Sequence, residues 1–161
     1  IVLDAVSNEC EIATIIDKTL DLAGDNRFRL ADFAILCPTL DLCAQVGKKL
    51  GEQKVPYISK GDDLFDILEE KMKVLTIHSA KGLEFPVVFV LGLHDGTMPQ
   101  YQKLSIDDEE KELALERDRT LFYVAMTRAA EMLYLVTSKE KPSRFISEIE
   151  KLIRVEPCNR S

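Results

Sequence analysis

Four apolar runs dominate the chain: "DFAILCP" (32–38), "MKVLTIH" (72–78), "PVVFVLGL" (86–93) and "EMLYLVTS" (131–138). A strand that is wet on one face alternates apolar and polar residues. A run that stays apolar must be covered on both faces, which is the habit of parallel sheets. The segments between the runs read as helices. Ser7 or Asn8 can cap one through "EIATIIDKTLDLA", stopped by Gly24, and Thr39 can cap "TLDLCAQVGKKLGEQ", which closes near Gly51. "DDLFDILEEK" reads as a short acidic helix, "SIDDEEKELALERDRTLFYVAMTRA" as a long helix in one or two pieces, and "PSRFISEIEKLI" as a closing helix with Pro142 and Ser143 at its start. "IVLDAV" and "VPYIS" add two short strands. The expected fold is α/β, a mostly parallel sheet with helices on both faces, in a single domain spanning 1–161.

Composition narrows the function classes. The net charge of −7 argues against a surface that grips nucleic acid everywhere, so contact with phosphates has to come from a few aimed groups. No apolar run approaches the roughly 18 residues of a membrane span, and "IVLDAVSNEC" lacks the basic start and apolar stretch of a signal peptide. The opening Ile in place of Met is expected of a piece of a longer chain. Cys10, Cys37, Cys43 and Cys158 form no CxxC pair and have no His at ligand spacing, so they read as free thiols of a reducing compartment, with no metal site.

The chemistry-bearing residues fall in two clusters. In "TIHSAKGLEF", Thr76 and His78 share one side of a strand, Ser79 can open a turn whose amides suit an anion, and Lys81 adds a point charge. Gly82 lets backbone approach a ligand, and Glu84 offers an acceptor for a sugar hydroxyl. Each also has a plain reading, as a rim histidine, a surface lysine or a solvated acid. In "LFYVAMTRAA", Arg128 near a helix end either pairs with helix-end carbonyls or stands ready to meet a phosphate. No GxxxxGK[ST] phosphate loop is present: Leu42 stands where the first glycine would be, ahead of Gly47–Lys48. Without that loop, Asp95 after its apolar strand is discounted as a magnesium ligand.

"VLTIHSAKGLEFPVVFV" resembles motif V and "ERDRTLFYVAMTRA" resembles motif VI of the UvrD/Rep/PcrA family of superfamily 1 DNA helicases. "DGTMP" and "PSRFISEI" resemble the family's stretches after each motif, and "DFAILCPTLDLCAQVGKKLGEQKVPYI" resembles its upstream strand–helix–strand. The resemblance implies the second RecA-like motor domain, with the phosphate loop absent because the first RecA-like domain of the same polypeptide carries it. It implies ATP and Mg2+ in the intact protein, the Mg2+ held by that other domain and neither expected on this chain alone. It implies single-stranded DNA as partner, movement 3′ to 5′, a cytoplasmic setting with no membrane, and a monomer in isolation. By motif position, Arg128 would be the arginine finger. Lys81, Gly82 and Glu84 would contact nucleotide, and Thr76, His78 and Ser79 would couple to DNA. Tyr123 and Thr127 would support the motif VI helix.

The chain also departs from the pattern. Thr120 follows Arg119 where the family has a second arginine, and Cys37–Pro38–Thr39 replaces an arginine-bearing loop. Motif IV would lie before Ile1. Only "SKGDDLFDILEEKM" stands where larger members insert a helical subdomain, which bears on duplex unwinding more than on ATP-driven movement. Two alternatives stay open: a non-catalytic module that docks on polymerases or repair proteins, and a motor that remodels a polymerase or nuclease complex.

Overall fold

The computed structural model describes residues 2–5, 8–59, 66–100, 107–138 and 140–157. Seven strands form one sheet: β1 (Val2–Ala5), β2 (Phe33–Cys37), β3 (Tyr57–Ser59), β4 (Met72–Thr76), β5 (Phe85–Val90), β6 (Ala129–Ser138) and β7 (Val155–Pro157). Their order is β3-β4-β2-β5-β6-β1-β7, and every pairing is parallel. Among the described residues four α-helices accompany them: α1 (Asn8–Gly24), α2 (Leu40–Glu52), α3 (Asp108–Met126) and α4 (Arg144–Glu148).

The continuous apolar runs make two cores at once, because successive side chains of a strand point to opposite faces. On one face Ile35, Val74, Val87, Phe89 and Val136 pack with Ile12 and Ile15 of α1 and Val46 and Leu50 of α2. On the other, Leu36, Leu75, Val88, Val90 and Leu135 pack with Phe122 and Ala125 of α3 and Phe145 of α4. Rings cross the first face as a ladder: Phe33, Phe89 and Tyr134 on three neighbouring strands stack at centroid spacings of 6.4 and 5.0 Å. Phe122 and Phe145 stack at 5.6 Å on the second.

Local chemistry sets several boundaries. Thr39 caps α2 by accepting from the Leu42 amide at 3.3 Å. Ser143 caps α4 through the Phe145 amide. Gly92 ends the β5 run at φ +79, a backbone angle that requires glycine, and a Cβ there would press on the end of the Leu42 side chain at 2.7 Å.

Three expectations need correction. The expected acidic helix over 62–71 has its first part outside the described residues, and 66–71 form turns. There the Asp66 carboxylate accepts from the Leu68 amide, and the Glu69 carbonyl is taken by the buried Lys73 ammonium at 2.6 Å, so side chains have captured the groups a helix would use. The expected closing helix stops at Glu148 and continues as a 3-10 turn over Glu150–Leu152. β7 follows, a strand the sequence reading did not include. α3 runs as one unbroken helix within its described residues, and of its expected start Ser105 and Ile106 lie outside them.

Candidate functional site

All strands point one way, so the segment from β4 to β5 must return from the carboxyl edge of the sheet to the amino edge. Residues 77–84 make that return on the α3 face. β4 ends at Thr76, so the strand face that Thr76 and His78 were expected to share does not form. Ile77 and Ala80 are fully buried in the core of the α3 face, while His78 and Lys81 are exposed, which is the spacing of a short helical turn. Thr76 starts the turn: its hydroxyl accepts from the Ser79 amide at 3.1 Å and donates to Ser79 Oγ at 2.9 Å, and its carbonyl accepts from the Ala80 amide. Thr76 thus spends its hydroxyl on Ser79 in both directions. Gly82 ends the turn at φ +83 with open space around it, so the glycine is required by backbone angle and not by crowding.

At the carboxyl edge this connector forms one wall of a cleft of ≈ 610 Å³. Pro38, Ile77, Met98, Leu121 and Val124 give it an apolar floor. His78 and Lys81 from the connector and Arg117 from α3 set a basic rim, with Thr97, Gln100, Asp118 and Thr120 between. In a chain of net charge −7 with His neutral, Lys81 and Arg117 against Asp118 leave this cleft locally positive, a reversal of sign. The sequence reading picked out His78 and Lys81 but missed Arg117, Thr97 and Gln100. Arg117, Leu121 and Val124 recur at helical spacing, and that periodicity was the available signal.

Arg128 lies at the other edge. It immediately precedes β6, and Ala129 is in register with Phe85, the first residue of β5. Its guanidinium donates from Nε to the Val124 carbonyl (3.1 Å), from Nη1 to the Leu83 carbonyl (3.1 Å) and from Nη2 to Thr127 Oγ1 (3.1 Å). The plain reading, pairing with helix-end carbonyls, is therefore realised. The side chain is nonetheless only half-buried, has no carboxylate partner among the described residues, and keeps N–H groups unengaged. Thr127 caps the end of α3. Tyr123 receives the Thr127 amide on its carbonyl, but its ring is 62% exposed. Glu84, exposed and in no ion pair among the described residues, directly precedes β5. The trio expected to meet nucleotide is therefore divided: Lys81 lines the cleft beside His78, and Glu84 sits at the edge that holds Arg128.

Other candidates resolve as structural. Asp95 receives the Arg144 amide at 3.3 Å and pairs with the Arg144 guanidinium at 3.5 Å. Cys37 and Cys43 are free thiols, and Cys158 lies outside the described residues. The Cys37 thiol is pushed well up by its hydrogen bond to Cys43 and by burial, so it is inert as a nucleophile. Among the described residues no group of His, Cys, Asp and Glu is placed to hold a metal, and no helix is long and apolar enough to cross a membrane. Glu11 is buried beside His94, with Oε1 and Nε2 2.8 Å apart. Burial raises its carboxyl above the usual range, and His94 opposes that shift.

Solved structures with this fold include the C-terminal domain of a possible DNA helicase from Lactobacillus plantarum WCFS1, at TM-score 0.69 and 19% identity over 96% of this chain and 83% of that one. The C-terminal domain of the DEAD-box protein Dbp5 follows at TM-score 0.61 and 13% identity, over 98% of this chain and 87% of that one. Among curated proteins, the ATP-dependent DNA helicase PcrA of Bacillus subtilis (strain 168) is 40% identical over 91 residues, which is 50% of this chain and 12% of that protein. PcrA of Staphylococcus epidermidis (strain RP62A) is 37% identical over 86 residues, 47% of this chain and 11% of that protein. The chain thus spans a small part of the length of the relatives it matches. Residues 58–140, just over half the chain, match the family of UvrD-like helicase C-terminal domains, and they include the connector, both edges of the site and α3. With the parallel sheet, the two motif segments and that match in agreement, the chain belongs to the UvrD-like helicase C-terminal domain family.

Proposed function

We propose that this chain is the second motor domain of an ATP-dependent DNA helicase or translocase moving 3′ to 5′ on single-stranded DNA. Its ATP site is shared with a first RecA-like domain that carries the phosphate loop and holds Mg2+. The observation that carries this reading is Arg128: anchored by two carbonyls at the amino edge, in no ion pair among the described residues, with donors left over at the edge that also carries exposed Glu84. An arginine held this way is oriented without being neutralised, which is what a charge aimed at a γ-phosphate needs.

In this reading Arg128 stabilises negative charge on the phosphates presented by the partner domain, and Glu84 accepts from the ribose. ATP, when bound, supplies the phosphoanhydride whose cleavage drives domain movement. His78, Lys81 and Arg117 take the DNA backbone at the cleft. Thr76 and Ser79 keep the turn that presents His78, so they couple to DNA as braces. Thr127 fixes the end of α3 under Arg128. The isolated chain holds half of each site, and it is therefore an inactive, monomeric piece.

Arg128→Ala in the intact motor tests this. ATP binding, followed by a fluorescent analogue, should persist, while DNA-stimulated turnover should fall by about 10³-fold or more. Near-normal turnover would remove Arg128 from the chemistry. Robust hydrolysis by the isolated chain would show that the site is not shared.

A further inference from the structure

We infer that Asp118 is a positioning residue, a strut that makes occupancy of the cleft act on Arg128; the inference rests on the reading of both sites given above. The cleft has three walls: the connector 77–81, the loop 97–100 and α3. The loop is stiff in itself. The Thr97 and Met98 amides both donate to the His94 carbonyl at 2.9 Å, the Gly96 amide donates to the Pro99 carbonyl, and Ser143 Oγ donates to the Met98 carbonyl at 2.6 Å. Its far end is tied to α3 by one described hydrogen bond, the Gln100 amide donating to Asp118 Oδ2 at 2.8 Å, while Met98 packs in the same buried core as Phe122 and Ala125 of α3. With that bond made, two of the three walls move as one body. A ligand that narrows the cleft then has to draw the connector against α3.

The connector and α3 are also the two elements that hold Arg128, through the carbonyls of Leu83 and Val124. Any shift of one against the other changes the cradle of the guanidinium. Without the bond, the loop yields first and the connector need not move. A misplacement of about 1 Å at a reacting group costs on the order of 10²-fold in rate, so a small loss of stiffness here is large in turnover. Asp118 touches neither nucleotide nor reacting atoms in this account; it acts through α3.

The test is the ratio of turnover with single-stranded DNA to turnover without it, measured in the full-length motor alongside DNA affinity and thermal melting. Asp118→Ala should lower the ratio about 10- to 100-fold. Asp118→Asn, which keeps an acceptor oxygen in place while losing the charge, should restore it to within about threefold of wild type. Asp118→Glu, which keeps the charge but displaces the oxygen by one methylene, should be impaired. If the alanine variant does not fold, the Asn and Glu variants decide alone: Glu working and Asn failing would overturn the strut in favour of a purely electrostatic role. An unchanged ratio in Asp118→Ala would overturn it outright. Arg128→Ala in parallel separates the two readings. If Arg128→Ala abolishes turnover while Asp118→Ala keeps its stimulation, only the strut is lost. If Arg128→Ala is near normal, the shared-site reading falls and takes this inference with it.

Discussion

Glu11 is a carboxyl that the fold accepts against its solvation. It is 1% exposed, in the first turns of α1, and burial holds its folded pKa above the ordinary 4.5 while His94 pulls the other way. A raised carboxyl binds more protons folded than unfolded just above 4.5, so stability falls as pH rises from there through the folded value. Glu11→Gln cannot ionise and should lack that slope. Denaturant midpoints measured at several pH values should show the variant gaining on the wild type as pH rises above about 4.5. Parallel curves would mean that Glu11 titrates alike in both states. Single residues were unevenly legible. Arg128, Gly82 and Thr39 carry their reasons in sequence, through charge, turn geometry and capping. Glu11 does not, since its partner His94 is distant in the chain and meets it only because α1 and the β5 exit share one edge.

Among the elements, α3 and α4 are joined by three interactions of different kinds. Phe145 is fully buried against Phe122, and the Arg119 guanidinium lies 5.6 Å over the same ring while donating to both oxygens of Glu148 at 2.9 Å. Phe145→Ala should cost about 3–5 kcal/mol, because a buried ring leaves a cavity. Arg119→Ala should cost no more than about 1 kcal/mol, because the pair is half-exposed and solvent screens it. Chemical denaturation of both variants checks the order, and a larger loss for Arg119 would make the ion pair, not the ring, the anchor of α4. Element types were readable where pattern was strong: each long apolar run became a strand and each capped periodic segment a helix. Residues 66–71 misled because their helical composition says nothing of Asp66 and Lys73 taking the backbone groups. β7 was invisible because three residues carry no period; it exists because β1 offers it an edge.

At the scale of the whole molecule, charge and topology divide the labour. The basic rim is confined to His78, Lys81 and Arg117, so single-stranded DNA binding by this chain alone should be weak. Its dependence on salt should be shallow, with log K against log salt sloping roughly −1 to −2, as two or three phosphate contacts would give. A slope steeper than about −4 in fluorescence anisotropy titrations would place the phosphate surface elsewhere. Opposite edges for the cleft and Arg128 were not legible in the motif spacing, since His78 and Glu84 are near in sequence; only the parallel return of the connector separates them. The ring ladder has an optical side. The chain has no tryptophan, and of the three described tyrosines Tyr134 is sealed in the stack on the α1 and α2 layer, Tyr57 packs half-buried against the same core, and Tyr123 stands in solvent on α3. Among the described tyrosines, near-ultraviolet dichroism therefore reports mainly on that one layer, so a sheet that loosened on that side first would lose that part of its aromatic band while its far-ultraviolet helix signal still stood.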